Sequence, residues 1–446
     1  MKARAFDIEP PLGAVPDSDL AGTAVAAARS RKRPRVALVS INHRPELTGI
    51  AVYTAGLAEF LASRGWSVDV YTGFPYYPHW KKADADRRLY RHERLGGVAV
   101  RRHYLYVPAK PSALRRILHE LSFVASVSLG YLLGPRADCT MIVSPPLPLG
   151  VVIGLLARLR GSRTLFHVQD LQPDAAIEFG LLRKGPLTAA LFVLERWTYR
   201  LCHRVSSVSE AMLDRIRAKG VPEDKLVLLR NWADDDLVRP GDRDTPLRTQ
   251  WALGDALVVL YSGNLGVKQG LELLLNVAAL MRERRDIVFL IVGDGGESAR
   301  LKARSRQEGL SNVRFASLQP RERLSELLAT GDIAVIPQLD RASDIVLPSK
   351  LANIMAAGRP LVAGAHAASE LGRIVTRAEC GLVVDPGSAE DFARAVTNLA
   401  SDRAMRARLG DNGSRYMRET LARDVVLPHF AEALSRLARH VPESLS

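Results

Sequence analysis

Apolar residues in this chain fall into short continuous runs, separated by longer stretches in which they recur at helical spacing. In the first half the runs Arg35–Ile41, Val68–Tyr71, Cys139–Val143, Arg163–Val168 and Val205–Val208 predict strands. Between the first two, Ile50–Ser63 places Tyr53, Leu57, Phe60 and Leu61 on one face of a helix. The second half repeats the pattern, with strands at Leu257–Tyr261, Ile287–Val292, Val313–Phe315, Ile333–Ile336, Leu361–Ala363 and Leu382–Val384 and helices between most of them. Such alternation predicts an α/β protein with parallel sheets covered by helices on both faces. Asn231–Trp251, rich in Asp, Pro and Gly, reads as the join between two doubly wound domains that face each other across a cleft.

Length and composition agree with that division. At 446 residues the chain exceeds one ordinary core, and 47% apolar with 25% charged residues is the balance of a globular protein. Cys139, Cys202 and Cys380 lack ligand spacing, which argues against a disulfide framework or zinc site and suits a reducing cytosol. The first 34 residues, with four acids, several prolines and the small-residue run Ala21–Ala28, read as a mobile tail rather than a signal peptide.

Charge is distributed unevenly. Residues 31–230 hold 31 Lys and Arg against 16 Asp and Glu, whereas residues 231–446 hold 28 of each, so one half is basic and the other neutral, which a partner or plain solubilising charge would explain. Anionic lipid, a phosphorylated substrate or nucleic acid would each suit the basic half; no recognised nucleic-acid motif organises the basic residues, which argues against the last. Arg115 and Arg116 precede the apolar stretch Leu121–Leu133, which continues a helical pattern from Leu114 and ends at Gly134-Pro135. It is too short to span a bilayer, which takes ~20 residues, and reads either as a helix in the membrane interface or as a core helix.

Candidate chemistry gathers where strands lead into helices, the ligand edge of such sheets. Leu347-Pro348-Ser349-Lys350 follows the strand Ile333–Ile336 and opens a helix: Pro348 fits a helix start, Ser349 a cap, and Lys350 adds a cation to a terminus already positive. Ser262–Gly270 places Gly263, Asn264, Gly266, Lys268 and Gly270 after another strand, a composition able to wrap a diphosphate. Gly293-Asp294-Gly295-Gly296 reads as a similar loop after the next strand. In the first half Thr48-Gly49 opens a helix, and Gly49 would let a phosphate or sugar approach the backbone. Neither the dinucleotide fingerprint nor the Walker spacing is present. Asp234-Asp235-Asp236 reads as a solvated linker run rather than a metal motif.

Taken in order, Gly263-Asn264, Lys268, Gly270, Gly293-Asp294-Gly295, Pro348-Ser349-Lys350, Ala357–Pro360 and Gly381–Gly387 resemble the donor domain of GT-B glycosyltransferases of family 4. Pro45–Ile50 with Tyr53, Pro75–Pro78 with Trp80, Ser144-Pro145-Pro146 and His167–Asp170 resemble the colanic acid biosynthesis branch of that family. The resemblance implies a GT-B fold: residues 35–235 as acceptor domain, 236–425 as nucleotide-sugar donor domain, and 426–446 as a C-terminal helix packing back on the first domain. It implies a retaining transfer from a nucleotide-diphosphate sugar, with no cofactor and no metal, to a polyprenyl-diphosphate-linked saccharide of exopolysaccharide synthesis. The setting would be the cytoplasmic, inner-leaflet membrane surface, with no nucleic-acid partner.

By the same resemblance Lys268 and Lys350 steady the leaving diphosphate, and His167 and Asp170 face the transferring sugar or the acceptor. Gly49, Gly263, Asn264, Gly270, Gly293, Gly295, Ser349 and Asn353 hold the donor, and Asn231 lies at the interdomain crossing. The sequence departs from the family at its paired glutamates: counted back from Gly358, those positions hold Asn353 and Ile345, with Asp344 beside the latter. This keeps a sugar-nucleotide epimerase of the same fold, or an inactive GT-B scaffold that binds sugar nucleotide or partners, as alternative expectations.

Overall fold

The structure, a computed structural model, describes residues 33–46, 49–77, 80–82, 86, 88–109, 112–178, 185–233, 237–337 and 350–439. The expectations for the first 32 residues, Thr48, Asp234–Asp236, Asp344, Ile345, Pro348 and Ser349 therefore lie outside the described residues.

The first domain is built on β1 (Arg35–Val39), β2 (Ser67–Gly73), β3 (Tyr90–Leu95), β4 (Val98–His103), β5 (Cys139–Ser144), β6 (Arg163–Val168), β7 (Arg204–Ser207) and β8 (Leu226–Leu228). They form one sheet in the order β3-β4-β2-β1-β5-β6-β7-β8, parallel except where β3 turns back on β4. The second domain uses β9 (Leu257–Ser262), β10 (Ile287–Val292), β11 (Val313–Ala316), β12 (Ile333–Pro337), β13 (Leu361–Gly364) and β14 (Gly381–Val384). Its order, β11-β10-β9-β12-β13-β14, is parallel throughout. In each sheet the strand order reverses beside the first strand, between β1 and β5 and between β9 and β12. At such points successive loops diverge to opposite faces and leave a crevice at the carboxyl edge.

The helices used below are α1 (Ile50–Ser63), α2 (Ala113–Leu133), α3 (Leu147–Leu159), α4 (Pro186–Leu201), α5 (Glu210–Ala218), α6 (Lys350–Ala356), α7 (Glu370–Arg377) and α8 (Arg423–Arg439). Helix α8 returns to the first domain. Its Val426, Leu427, Phe430, Leu434 and Leu437 are buried with Val36 and Leu38 of β1, Met141 and Val143 of β5, and Leu57 and Leu61 of α1. Burying such a side chain contributes about 1.5–3 kcal/mol, so this stripe holds the helix firmly.

The chain thus crosses between domains twice, and the crossings touch: Ala233 N donates to Leu421 O at 2.8 Å. Trp232 wedges between them, edge-on to Tyr53 at 5.1 Å and to Phe430 at 6.1 Å between ring centres.

Helix α2 is apolar on two faces, one in the core and one exposed. Phe123, Val124, Val127 and Tyr131 enter the core, while Leu114, Ile117, Leu118, Leu121, Leu129 and Leu133 remain exposed. Leu155 and Leu159 of the neighbouring α3, and Leu187 and Trp197 of α4 beyond it, are exposed as well. Among the described residues, no helix is long and apolar enough to cross a membrane.

Candidate active site

Strands β9 and β10 pair in register through Tyr261–Ile291 and Ser262–Val292, so their glycine loops leave the sheet side by side. Gly263 N donates to Val292 O at 2.9 Å, Leu265 N to Asp294 O at 2.8 Å, and Glu297 N to Leu265 O at 2.9 Å. A Cβ on Gly293 would stand 1.9 Å from Gly263 O, and one on Gly295 would stand 2.5 Å from Leu265 O. Both have positive φ, +149° and +159°. These two glycines therefore let one loop stack on the other. The second loop, expected to cradle phosphate, buttresses the first.

Lys350, the first residue of α6, projects over the first loop from across the β9–β12 switch point. Its Nζ lies 3.8 Å from the centre of the Tyr261 ring and 3.1 Å from where a Gly263 Cβ would be. No described carboxylate pairs with it, and burial pushes the ammonium down to about 7. The Tyr261 hydroxyl donates to Asn264 O at 2.7 Å, fixing ring and loop together. Lys268 lies on the 3₁₀ turn Val267–Gln269, which Gly270 ends in a left-handed conformation, φ 61°. Asn353, three residues after Lys350 on α6, is partly buried. A partly buried cation with no carboxylate partner among the described residues, set over a glycine loop at a switch point, suits a diphosphate.

Across the cleft, the β1 loop is tied down by Glu46. Its Oε1 accepts the amides of Tyr76 and Tyr77 at 2.9 Å each, and its Oε2 accepts Asn42 Nδ2 at 2.9 Å. Sequence reading treated Glu46 only as part of a motif; its burial is the signal a sequence lacks. Gly49 precedes α1 at φ +61°, with open space where a side chain would be. Tyr76 is buried against Trp80 and His119, whereas Tyr77 is exposed.

His167 is placed otherwise than expected. It is 1% exposed, packs edge-on against Phe430, and uses both ring nitrogens: Nδ1 is 2.9 Å from Ser206 Oγ, and Nε2 accepts Gln169 Nε2 at 2.9 Å. Gln169 and Asn231 exchange amide hydrogen bonds at 3.0 and 2.9 Å. The Gln169 amide nitrogen can only donate, so His167 accepts at Nε2 and carries its proton on Nδ1, and burial holds its pKa down at about 3. In this arrangement it braces the interdomain crossing and does not line the open cleft. Asp170, partly buried at the carboxyl end of β6, stays nearer the edge and is itself engaged.

A groove of about 840 Å³ lies elsewhere, at the amino ends of β6–β8 against α8, lined by Arg163, Arg204, Lys225 and His429. It lies at the opposite end from the carboxyl edge, where ligands of doubly wound sheets bind.

Comparison with known proteins fits this geometry. The family described as Glycosyl transferases group 1 matches residues 245–416, and the Glycosyl transferase 4-like domain matches residues 48–232. WcaI of Escherichia coli K12, named for colanic acid biosynthesis as a glycosyl transferase, is 38% identical over 374 residues, 81% of this chain and 91% of WcaI. The chain is a GT-B glycosyltransferase of this family. The alpha-D-kanosaminyltransferase of Streptomyces kanamyceticus is 28% identical over 228 residues, covering 49% of this chain and 57% of that protein. Among solved structures, sucrose-phosphate synthase of Thermosynechococcus elongatus superposes with a TM-score of 0.71 at 19% identity, covering 91% and 99% of the two chains. Anabaena HepE, crystallised with UDP-glucose, gives 0.66 at 16% identity over 90% and 99%. These distant neighbours share the fold.

Proposed function

We propose that this glycosyltransferase transfers a sugar, with retention, from a nucleotide-diphosphate sugar to a lipid-linked saccharide acceptor of exopolysaccharide synthesis. The observation that carries the donor assignment is the Lys350 ammonium, which stands unpaired among the described residues over the glycine loop of β9. In this reading the nucleotide sits on the second domain, and Lys350 with Lys268 neutralises the charge that builds on the leaving diphosphate, in the place of a metal ion. Gly263, Asn264, Gly270 and Asn353 border the donor, Gly49 closes on it from the first domain, and Asp170 faces the acceptor. Gly293 and Gly295 shape the loop from behind, and His167 positions Gln169 and Asn231. HepE has been crystallised with UDP and with UDP-glucose, which supports the same class of donor here.

The acceptor side favours a lipid. Exposed leucines on α2 continue onto α3, and Arg115 and Arg116 are exposed at the start of α2, the arrangement of an interfacial helix on an anionic surface. The protein would then work as a peripheral enzyme on the cytoplasmic face of the membrane.

A panel of UDP-, GDP- and dTDP-sugars tests the donor reading: one of them is expected to raise the melting temperature, because a ligand of the folded state stabilises it. Transfer from that donor to a polyprenyl-diphosphate saccharide should give product of unchanged anomeric configuration and should survive chelation of metal ions. Stabilisation by none of the donors at saturation would sink the proposal.

A further inference from the structure

We infer that Tyr261 is a positioning residue of the diphosphate site, its ring serving as a neutral seat that keeps the Lys350 ammonium over the glycine loop. The inference rests on the donor-site reading above. Tyr261 is buried in the central strand β9, and its hydroxyl is spent on Asn264 O at 2.7 Å, so the ring can neither swing out nor rotate freely. The ammonium lies 3.8 Å from the ring centre, within cation–π contact, and close above Gly263.

A lysine side chain has many rotamers and deprotonates when buried; the π face selects one placement and favours the charged form. A carboxylate in the same position would do both, but it would repel the incoming diphosphate and would have to be displaced. The ring leaves the outward side of the ammonium open to phosphate oxygens and remains beneath it once they bind. Tyr261 therefore acts through Lys350 and does not touch the donor.

Replacing Tyr261 with phenylalanine and then with progressively fluorinated phenylalanines keeps the shape of the buried ring while draining its π density. Binding of UDP, GDP and dTDP is measured by calorimetry on the full chain, with thermal unfolding confirming the fold of each variant. For whichever nucleotide the wild-type protein binds, Tyr261→Phe gives the reference without the hydroxyl, and affinity should fall stepwise from it to roughly a tenth across the fluorinated series. In a Lys350→Met background the same series, read at millimolar nucleotide, should be flat. Wild-type binding with a flat or rising series would overturn the role of Tyr261, as would an equal fall in the Lys350→Met background. Failure of the wild-type protein to bind any of the three nucleotides would instead overturn the donor-site reading.

Discussion

Lys350 sits where stability suffers. Its pKa is lowered from 10.5 to about 7 by burial, so between these values the unfolded chain binds a proton that the empty folded protein does not. Stability from this group therefore rises with pH across that window and is lowest below it. Lys350→Met is expected to raise the melting temperature of the unliganded protein at pH 6, with the gain shrinking towards pH 10, while nucleotide-diphosphate affinity falls at least tenfold. A destabilised variant at pH 6 would contradict this. The glycines divide by the same reasoning: Gly293→Ala drives a Cβ into the Gly263 carbonyl, whereas Gly49→Ala meets open space and only backbone strain. Thermal unfolding should show Gly293→Ala to be crippled and Gly49→Ala to be reduced by about 1–2 kcal/mol. That Lys350 and the glycine loop share one sheet edge was legible in sequence, because each follows a strand of the same parallel sheet. Tyr261 was not, since within an apolar run it reads only as core. His167 was misplaced because a strand-end histidine carries no mark of whether the last helix will cover it.

Among the elements, apolar runs of β1, β5, β6, β9, β10 and β12 located both sheet centres, and the helical spacing of Ile50–Ser63 matched α1. The strands that escaped notice lie towards the sheet edge. Tyr90–Leu95 is polar and largely exposed, and Leu226–Leu228 is short and only partly buried. Val98–His103 hides Arg102 in the core, where Glu93 Oε1 at 2.6 Å and Arg44 O at 2.5 Å satisfy a guanidinium that pattern reading assigns to solvent. Helix α2 differs from all of these, because its sequence carries two apolar faces and the fold buries one of them. Leu114→Asp with Leu118→Asp should leave thermal stability within about 0.5 kcal/mol, since both side chains are exposed. Flotation with anionic liposomes should fall for that pair and for Arg115→Glu with Arg116→Glu, and should weaken with salt in the wild-type protein; undiminished flotation of both pairs would remove α2 from the membrane reading.

At the scale of the whole molecule, the polar chain Ser206–His167–Gln169–Asn231 and the aromatic wedge of Tyr53, Trp232 and Phe430 brace the first domain where the chain leaves it for the second. Glu370 at the start of α7 adds a direct tie by accepting Ala211 N of α5 at 3.2 Å. Asn231→Ala leaves the Gln169 amide without its partner at the crossing while touching neither glycine loop. The expected result is a fall in kcat for transfer with nucleotide affinity within twofold; an equal loss of both would show that Asn231 serves the donor site itself. The return of α8 also has a consequence for synthesis. The second domain is threaded into the first as an insertion, so its sheet is complete while β1, β5 and α1 still await the helix that covers them. The ribosome finishes the second domain before the first, and a nascent chain carries an uncovered apolar face on its older domain until residues 426–437 emerge to close it.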